Sequence, residues 1–244
     1  MKSAALAVLL LTNSACANGL DDLKAALAPL QGQGALRGVY EAREQKTDQE
    51  KAGAKPELVQ LSAQVEDDAA GLQLRWDRAL LKRAAEEAAK GGRRNEVLTR
   101  AISANSGMRV AASVNYAPKL LQMLANSQLT LERADTWQGK PARLLELKLA
   151  PPLESDDKIK VKESTHLAQV WLDADGTPLG ATLSQKIRLS VMVFLSMERA
   201  SRDELSFIVQ ANRLVLLRHE EQGSEKNSAG ESVFRNLYTF TPKG

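Results

Sequence analysis

The chain lacks the residues on which several classes of protein depend. Only 1 of its 244 residues is cysteine, so an internal disulfide framework cannot form. Aromatic residues make up only 4% of the chain, which leaves few side chains on which nucleic-acid bases could stack. The 33 Lys and Arg nearly balance the 30 Asp and Glu, and a formal charge of +3 is too small to indicate a nucleic-acid partner. With 43% hydrophobic and 26% charged residues, the composition is that of a globular protein with a substantial core.

Signatures of catalysis and of metal binding are absent as well. The sequence contains no G-x-S-x-G nucleophile motif, no phosphate-binding G-x-x-x-x-G-K motif and no cysteine cluster for a metal. His166 and His219 are the only histidines, and neither has partners at the spacing of a catalytic or metal site, so we expect both to be structural or on the surface. Asp173 and Asp175 precede Gly176 as in a calcium loop, but the other ligands of such a loop are missing and a hairpin turn is favoured.

We therefore expect a protein that is not an enzyme and that needs no cofactor or metal. An enzyme would require polar side chains from different strands to converge in a cleft, for example around His166 or His219.

The first 17 residues have the layout of a bacterial export signal. A short basic start precedes an apolar run over residues 4–11 and a small, polar stretch that ends in Ala15-Cys16-Ala17. The apolar run is about half as long as a membrane-spanning helix requires, and no later stretch is long and apolar enough. We expect cleavage after Ala17 and a protein that is periplasmic or exported. Two alternatives stay open: a lipoprotein signal, in which a lipidated Cys16 anchors the chain to the outer membrane, and an ordinary buried N-terminal helix.

Residues 18–244 are predicted to form one domain, because no linker divides them. Apolar residues spaced by three and four over residues 20–30 predict a short amphipathic helix. Apolar and polar residues alternate over 59–65, and a turn at 67–71 leads to a second alternating stretch over 72–76. These two stretches predict an antiparallel hairpin.

A helical insertion is predicted at about residues 77–126. Asp77 and Asn115 are typical N-terminal caps, and Gly91-Gly92 is a typical stop. Pro118 fits the first turn of the last of three helices.

Short strands are predicted over most of the chain after residue 128, separated by turn residues such as those at 137–140 and 173–178. This pattern predicts an α+β fold with a large, curved, mostly antiparallel sheet. The later strands are expected at residues 159–173, 179–189, 190–198, 204–210, 213–220 and 232–240.

The order of elements resembles a known family. The residues that carry the likeness are the helix at 20–30 before the strand at 35–44, the strand Gly71-Leu72-Gln73-Leu74-Arg75-Trp76, and Val170-Trp171-Leu172-Asp173 before Gly176 and Pro178. In these features the chain is similar to the periplasmic lipoprotein-carrier superfamily, which includes LolA, LolB and the N-terminal domain of RseB. The resemblance implies a half-open barrel of about 11 strands, with helices over its mouth and a concavity that holds acyl chains or peptides. The charged, Ala-rich helical segment at 77–105 departs from the family's pattern.

A hydrophobic ligand or lipoprotein acyl chain is accordingly expected in the concavity of the sheet. The alternative is a periplasmic sensor or assembly factor that binds an envelope protein and whose interior is a filled core. The apolar side chains expected to line the ligand site are Val59, Leu61, Val65, Leu72, Leu74, Trp76, Leu145, Leu147, Val191, Val193, Leu195 and Met197.

A basic surface is predicted where the third strand meets the first helix of the insertion. Its cations would contact lipid head groups at a membrane surface or an acidic partner, although an ordinary charged helix surface would have the same pattern. The residues expected to make this contact are Arg75, Arg78, Lys82 and Arg83.

Overall fold

The computed structural model describes residues 18–32, 34–49, 53–92, 96–151, 159–191, 195–228 and 230–243. The predicted export signal at 1–17, with Cys16, and the predicted ligand contact Val193 lie outside the described residues.

Four of the five helices found in the described residues follow one another between residues 78 and 124. Asp77 caps the first of them as predicted, because its Oδ1 accepts hydrogen bonds from the backbone N–H groups of Ala79 and Leu80 at 2.8 and 3.1 Å. The predicted middle helix is divided in two by a break at residues 105–107. The helices are α1 (Gly19–Leu27), α2 (Arg78–Ala89), α3 (Val97–Ala104), α4 (Met108–Val114) and α5 (Ala117–Leu124).

The strands form a single antiparallel sheet, so the α+β prediction is confirmed. In space the order is β3-β2-β1-β10-β9-β8-β7-β6-β5-β4, and the sheet is open because its edge strands β3 and β4 do not pair. Ten strands are found in the described residues where about eleven were expected. They are β1 (Leu36–Asp48), β2 (Glu57–Asp68), β3 (Gly71–Trp76), β4 (Gln128–Trp137), β5 (Lys140–Lys148), β6 (Ile159–Leu172), β7 (Pro178–Val191), β8 (Leu195–Gln210), β9 (Arg213–Asn227) and β10 (Gly230–Lys243).

The predicted strand at residues 190–198 is wrong. Val191 ends β7 and pairs with Leu195, which begins β8, so the chain reverses direction between them. The sequence hides this reversal because residues 190–198 contain none of the glycine, proline, asparagine or aspartate that usually marks a turn. Val191, Val193, Leu195 and Met197 therefore do not form one face of one strand.

Two hydrophobic cores lie on the face of the sheet that carries the helices. One is built by α1 and α5 on strands β5–β9, and the other by α2, α3 and α4 on strands β1, β2, β9 and β10. Gly19 begins α1 directly on the first core, since a Cβ atom there would lie 2.5 Å from Cδ2 of Leu145. The alternating buried side chains of these cores, such as Leu205 and Phe207 on β8, show which side of those strands faces the helices.

Asn105 ties the break between α3 and α4 to the sheet. Its side chain is fully buried, and its Oδ1 accepts a 2.7 Å hydrogen bond from the hydroxyl of Tyr40. Its Nδ2 donates to Oε1 of Glu44 at 2.8 Å and to the carbonyl of Ala101 at 2.9 Å. Each polar atom of this amide is satisfied, which a buried asparagine requires.

We expect Asn105→Leu to lower the free energy of unfolding by about 1–3 kcal/mol, because buried polar partners lose the amide that satisfies them. Urea denaturation followed by circular dichroism would measure this loss. The control is Asn126→Leu at an exposed position, where a change within about 0.5 kcal/mol is expected. Equal losses in the two variants would contradict a specific role for the buried amide.

Candidate functional site

A cavity of about 970 Å³ lies between helices α3–α5 and the inner face of strands β6–β10. Its rim is exposed to solvent, and Met108 at the start of α4 is 89% exposed there. Small-molecule sites are commonly clefts of about 300–1,000 Å³, so this cavity is large enough for a ligand of that class.

The floor of the cavity is polar because the inner face of β8 changes character along the strand. Leu205 and Phe207 are buried in the core, which fixes the inward side of β8. Side chains in a strand alternate between the two faces, so Asp203, Ser201 and Arg199 point to the same side as Leu205. All three line the cavity.

Neighbouring strands bring further side chains to the same level, and of those named here all except Leu183 are polar. Asp203 pairs in register with Glu221 of β9 and with Leu183 of β7. Gln185 of β7 pairs in the same way with His166 of β6, and both also line the cavity.

Hydrogen bonds already join most charged groups of the floor. Oδ1 of Asp203 lies 2.6 Å from Nε2 of His219. Nη2 of Arg199 donates to Oε1 of Glu221 at 2.6 Å, and Nη1 of Arg199 lies 3.5 Å from Oε2 of Glu225. The two carboxylates that line the floor, Asp203 and Glu221, are thus each engaged by a basic side chain.

The helices place two basic side chains over this floor. The guanidinium of Arg109 on α4 lies 4.4 Å from the ring centroid of Tyr238, and the amine of Lys119 on α5 lies 5.3 Å from that of Tyr116. Burial raises the pKa of both phenols above its ordinary value, so the rings stay neutral beneath the cations. Such contacts between a cation and the face of an aromatic ring are favourable.

Lys119 experiences two opposing electrostatic effects. Partial burial in the cavity lowers the pKa of its amine, and the positive charge of Arg109 lowers it further. The carboxylates of Asp203 and Glu221 act in the opposite direction. The charges of Arg109, Asp203 and Glu221 therefore all act on Lys119. Arg109 and Lys119, which the helices hold above the floor, are called the cations of the roof.

The end of the cavity nearest the first core is apolar. Met123 and Ala112 project from the helices, opposite Leu183 and Leu216 of the sheet. The cavity thus has an apolar end and a polar end, which is the arrangement that an amphipathic molecule requires.

Both histidines line the cavity. From the sequence we expected structural or surface positions for them, and named them as the place where the cleft of an enzyme would form. His166 adds a contact between its Nδ1 and the carbonyl of Ala150 at 3.1 Å. The convergence of polar side chains from β6, β7, β8 and β9 is therefore found in the structure. The cavity residues that the sequence analysis did not single out include Arg109, Lys119, Gln185, Arg199, Ser201, Asp203 and Glu221.

The predicted ligand contacts lie elsewhere. Leu145 and Leu147 are buried in the core beneath α1 and α5, while Leu195 is 47% exposed and Met197 is half-buried. For Val191 only the backbone is described. The residues placed in the second core, or packed against it, are Val59, Leu61, Val65, Leu72, Leu74 and Trp76. None of these ten described side chains lines the 970 Å³ cavity.

The predicted basic surface is exposed but separate from the cavity. None of its four cations, Arg75, Arg78, Lys82 and Arg83, lines the cavity, and all four are exposed. Arg75 lies 3.8 Å from a carboxylate oxygen of Glu66, and Lys82 lies 3.9 Å from one of Glu86. Exposed ion pairs of this kind contribute little to stability.

Comparison with models of known protein families gave no match, and no curated protein matches the chain in sequence. The resemblance to lipoprotein carriers therefore stays a prediction. Among the helices of the described residues, none combines the length and the apolarity that crossing a membrane would take. The same residues hold no group of three or more His, Cys, Asp and Glu side chains placed to bind a metal ion.

Proposed function

We propose that the protein is a non-enzymatic component of the bacterial cell envelope that binds an amphipathic ligand, such as a lipid, between helices α3–α5 and the sheet. The observation that carries this proposal is the 970 Å³ cavity, with its apolar end and its polar floor. The export-like sequence of residues 1–17 supports a periplasmic or exported protein, with an outer-membrane anchor through Cys16 as the alternative.

The walls of the cavity favour an amphipathic ligand over a purely hydrophobic one. An acyl chain beside Leu183, Leu216 and Met123 would gain about 0.8 kcal/mol for each methylene group that it buries. The polar end of the ligand would meet hydrogen-bonding side chains on the floor and the roof. An open cavity also favours ligand binding over an assembly factor with a filled interior.

Filling the apolar end of the cavity should weaken binding. Ala112 on α4 is half-buried and lines the cavity, and a tryptophan there would occupy space that the ligand needs. We expect Ala112→Trp to reduce affinity for a fluorescent fatty-acid analogue about tenfold, because that corresponds to the loss of about two buried methylene groups. Fluorescence titration would measure the change.

The matched control for this experiment is Ala85→Trp, an exposed position on α2. It should bind like the unmodified chain. Absence of binding by the unmodified chain would contradict the proposed function, and equal affinity of both variants would contradict the assigned cavity.

The Asp203–His219 pair favours hydrolysis of a bound ligand as a second candidate function. A carboxylate that is hydrogen-bonded to an imidazole fixes the orientation and the tautomer of the imidazole ring. This is how a histidine is prepared to act as a base in catalysis. An ester of the fluorescent fatty acid distinguishes the candidates. Release of free acid that stops in His219→Asn would support hydrolysis, and binding without release would support a carrier.

A further inference from the structure

The charged groups of the cavity fall into two classes according to whether they have a partner. On the floor, Asp203 contacts His219, and Glu221 contacts Arg199, both at 2.6 Å. On the roof, Arg109 and Lys119 have no carboxylate within 4.0 Å among the described residues, although both lie over aromatic rings. The cations of the roof are therefore available to a ligand, whereas the carboxylates of the floor are occupied.

An anion between the two roof cations would relieve an unfavourable interaction. Burial, and after it the positive charge of Arg109, makes the protonated form of Lys119 less stable and lowers the pKa of that amine, and the carboxylates of Asp203 and Glu221 offset this only in part. A negatively charged group placed near both would stabilise both cations at once. Arginine and lysine are the side chains that bind carboxylate and phosphate in proteins.

We propose that Arg109 and Lys119 bind the anionic group of the amphipathic ligand, a carboxylate or a phosphate, while its apolar chain extends toward Met123, Leu183 and Leu216. This inference rests on the proposed function and narrows it to anionic amphiphiles. It moves the recognition of the head group from the exposed surface of α2 to the roof of the cavity.

Competition by ligands with the same chain length and different charge tests this assignment. The full chain is loaded with an uncharged fluorescent lipid probe, and decanoate, decyl phosphate, decanol and decylammonium are added below their micelle concentrations. We expect the two anions to bind about tenfold to a hundredfold more tightly than decanol, the range that charge-assisted hydrogen bonds provide. Decylammonium should bind no better than decanol.

The variant Arg109→Gln/Lys119→Gln should remove this preference and leave the affinity for decanol unchanged. Binding of decanol also shows that the variant is folded and that its cavity is intact. The control Lys90→Gln/Lys148→Gln removes the same charge at exposed positions outside the cavity and should keep the preference.

Each other outcome overturns the inference. Equal binding of anions and decanol by the unmodified chain, or an anion preference that survives in Arg109→Gln/Lys119→Gln, would overturn the inference and leave the proposed function standing. Loss of the anion preference in Arg78→Gln/Lys82→Gln, but not in Arg109→Gln/Lys119→Gln, would also overturn the inference, because it would place head-group recognition on α2. If inorganic phosphate displaces the probe as effectively as decyl phosphate, the ligand is a free anion. Failure of every amphiphile to bind would overturn both the inference and the proposed function.

Discussion

Arg213→Met is expected to lower the free energy of unfolding by about 3–5 kcal/mol, the range found when one partner of a buried ion pair is removed. The side chain of Arg213 is only 6% exposed, and its Nη1 lies 2.6 Å from Oδ2 of Asp67. Its Nε and Nη2 also donate to the carbonyl of Gly34 at 3.2 and 3.0 Å. One guanidinium thus joins the start of β9, the end of β2 and the segment before β1.

The loss should be large because methionine fills the space of arginine but leaves the carboxylate of Asp67 and the carbonyl of Gly34 without a donor. Chemical denaturation of the purified protein would measure the loss. The matched control is Arg218→Met on the same strand, whose side chain is 51% exposed and contacts Glu220. A loss of at most about 1 kcal/mol is expected there.

Removing both partners separates the cost of an unpaired charge from the cost of lost packing. The variant Arg213→Met/Asp67→Leu should recover much of the stability lost in Arg213→Met, since no carboxylate is then left unpaired. If the double variant is as unstable as the sum of the single variants, the carboxylate of Asp67 is not what makes Arg213 important.

Alternation of apolar and polar residues predicted the fold class and the core side of several strands. Val59, Leu61 and Val65 on β2 are buried, and the predicted hairpin is present because Ala63 pairs with Trp76. The periodicity is informative here because one face of these strands packs on helices and the other meets solvent.

The polar floor of the cavity could not be predicted in the same way. Both faces of β8 are polar in this stretch, because Glu198, Arg202 and Glu204 alternate with Arg199, Ser201 and Asp203, so the pattern does not indicate which face points inward. The structure places Arg199 and Asp203 on the inward face, since they lie on the same side of β8 as the buried Leu205. On β9 the register shifts opposite Ser206 and Phe207, so Leu216 and His219 both line the cavity although they are three residues apart. Alternation of apolar and polar residues in the sequence does not reveal this register shift.

The sequence also could not show which apolar side chains remain uncovered. An inward row such as Leu145 and Leu147 has the same pattern whether a ligand or a helix packs on it. The helix α1, which carries Leu23 and Leu27 in the same core, covers this row. The cavity forms further along the sheet, where the helices above it carry Arg109 and Lys119.

Leu145→Ala tests that distinction, and we expect it to lower the free energy of unfolding by about 2–5 kcal/mol. Leu145 projects from β5 and is fully buried beneath α1, so truncating its side chain leaves a void that the surrounding core can fill only in part. If Leu145 lined a ligand site instead, the same change would enlarge that site and alter ligand affinity at little cost in stability. Thermal and urea denaturation would measure stability, and titration with the fluorescent fatty-acid analogue below the melting temperature would measure affinity.

The matched control for Leu145→Ala is Leu167→Ala on β6, where the leucine is 46% exposed on the outer face of the sheet. A change within about 0.5 kcal/mol is expected for it. Loss of stability with unchanged affinity in Leu145→Ala would assign this row to the core, because the ligand then meets the sheet only beyond it, at Leu183 and the polar floor. Unchanged stability with altered affinity would place the ligand under α1, and the cavity between α3–α5 and the sheet would no longer be the binding site.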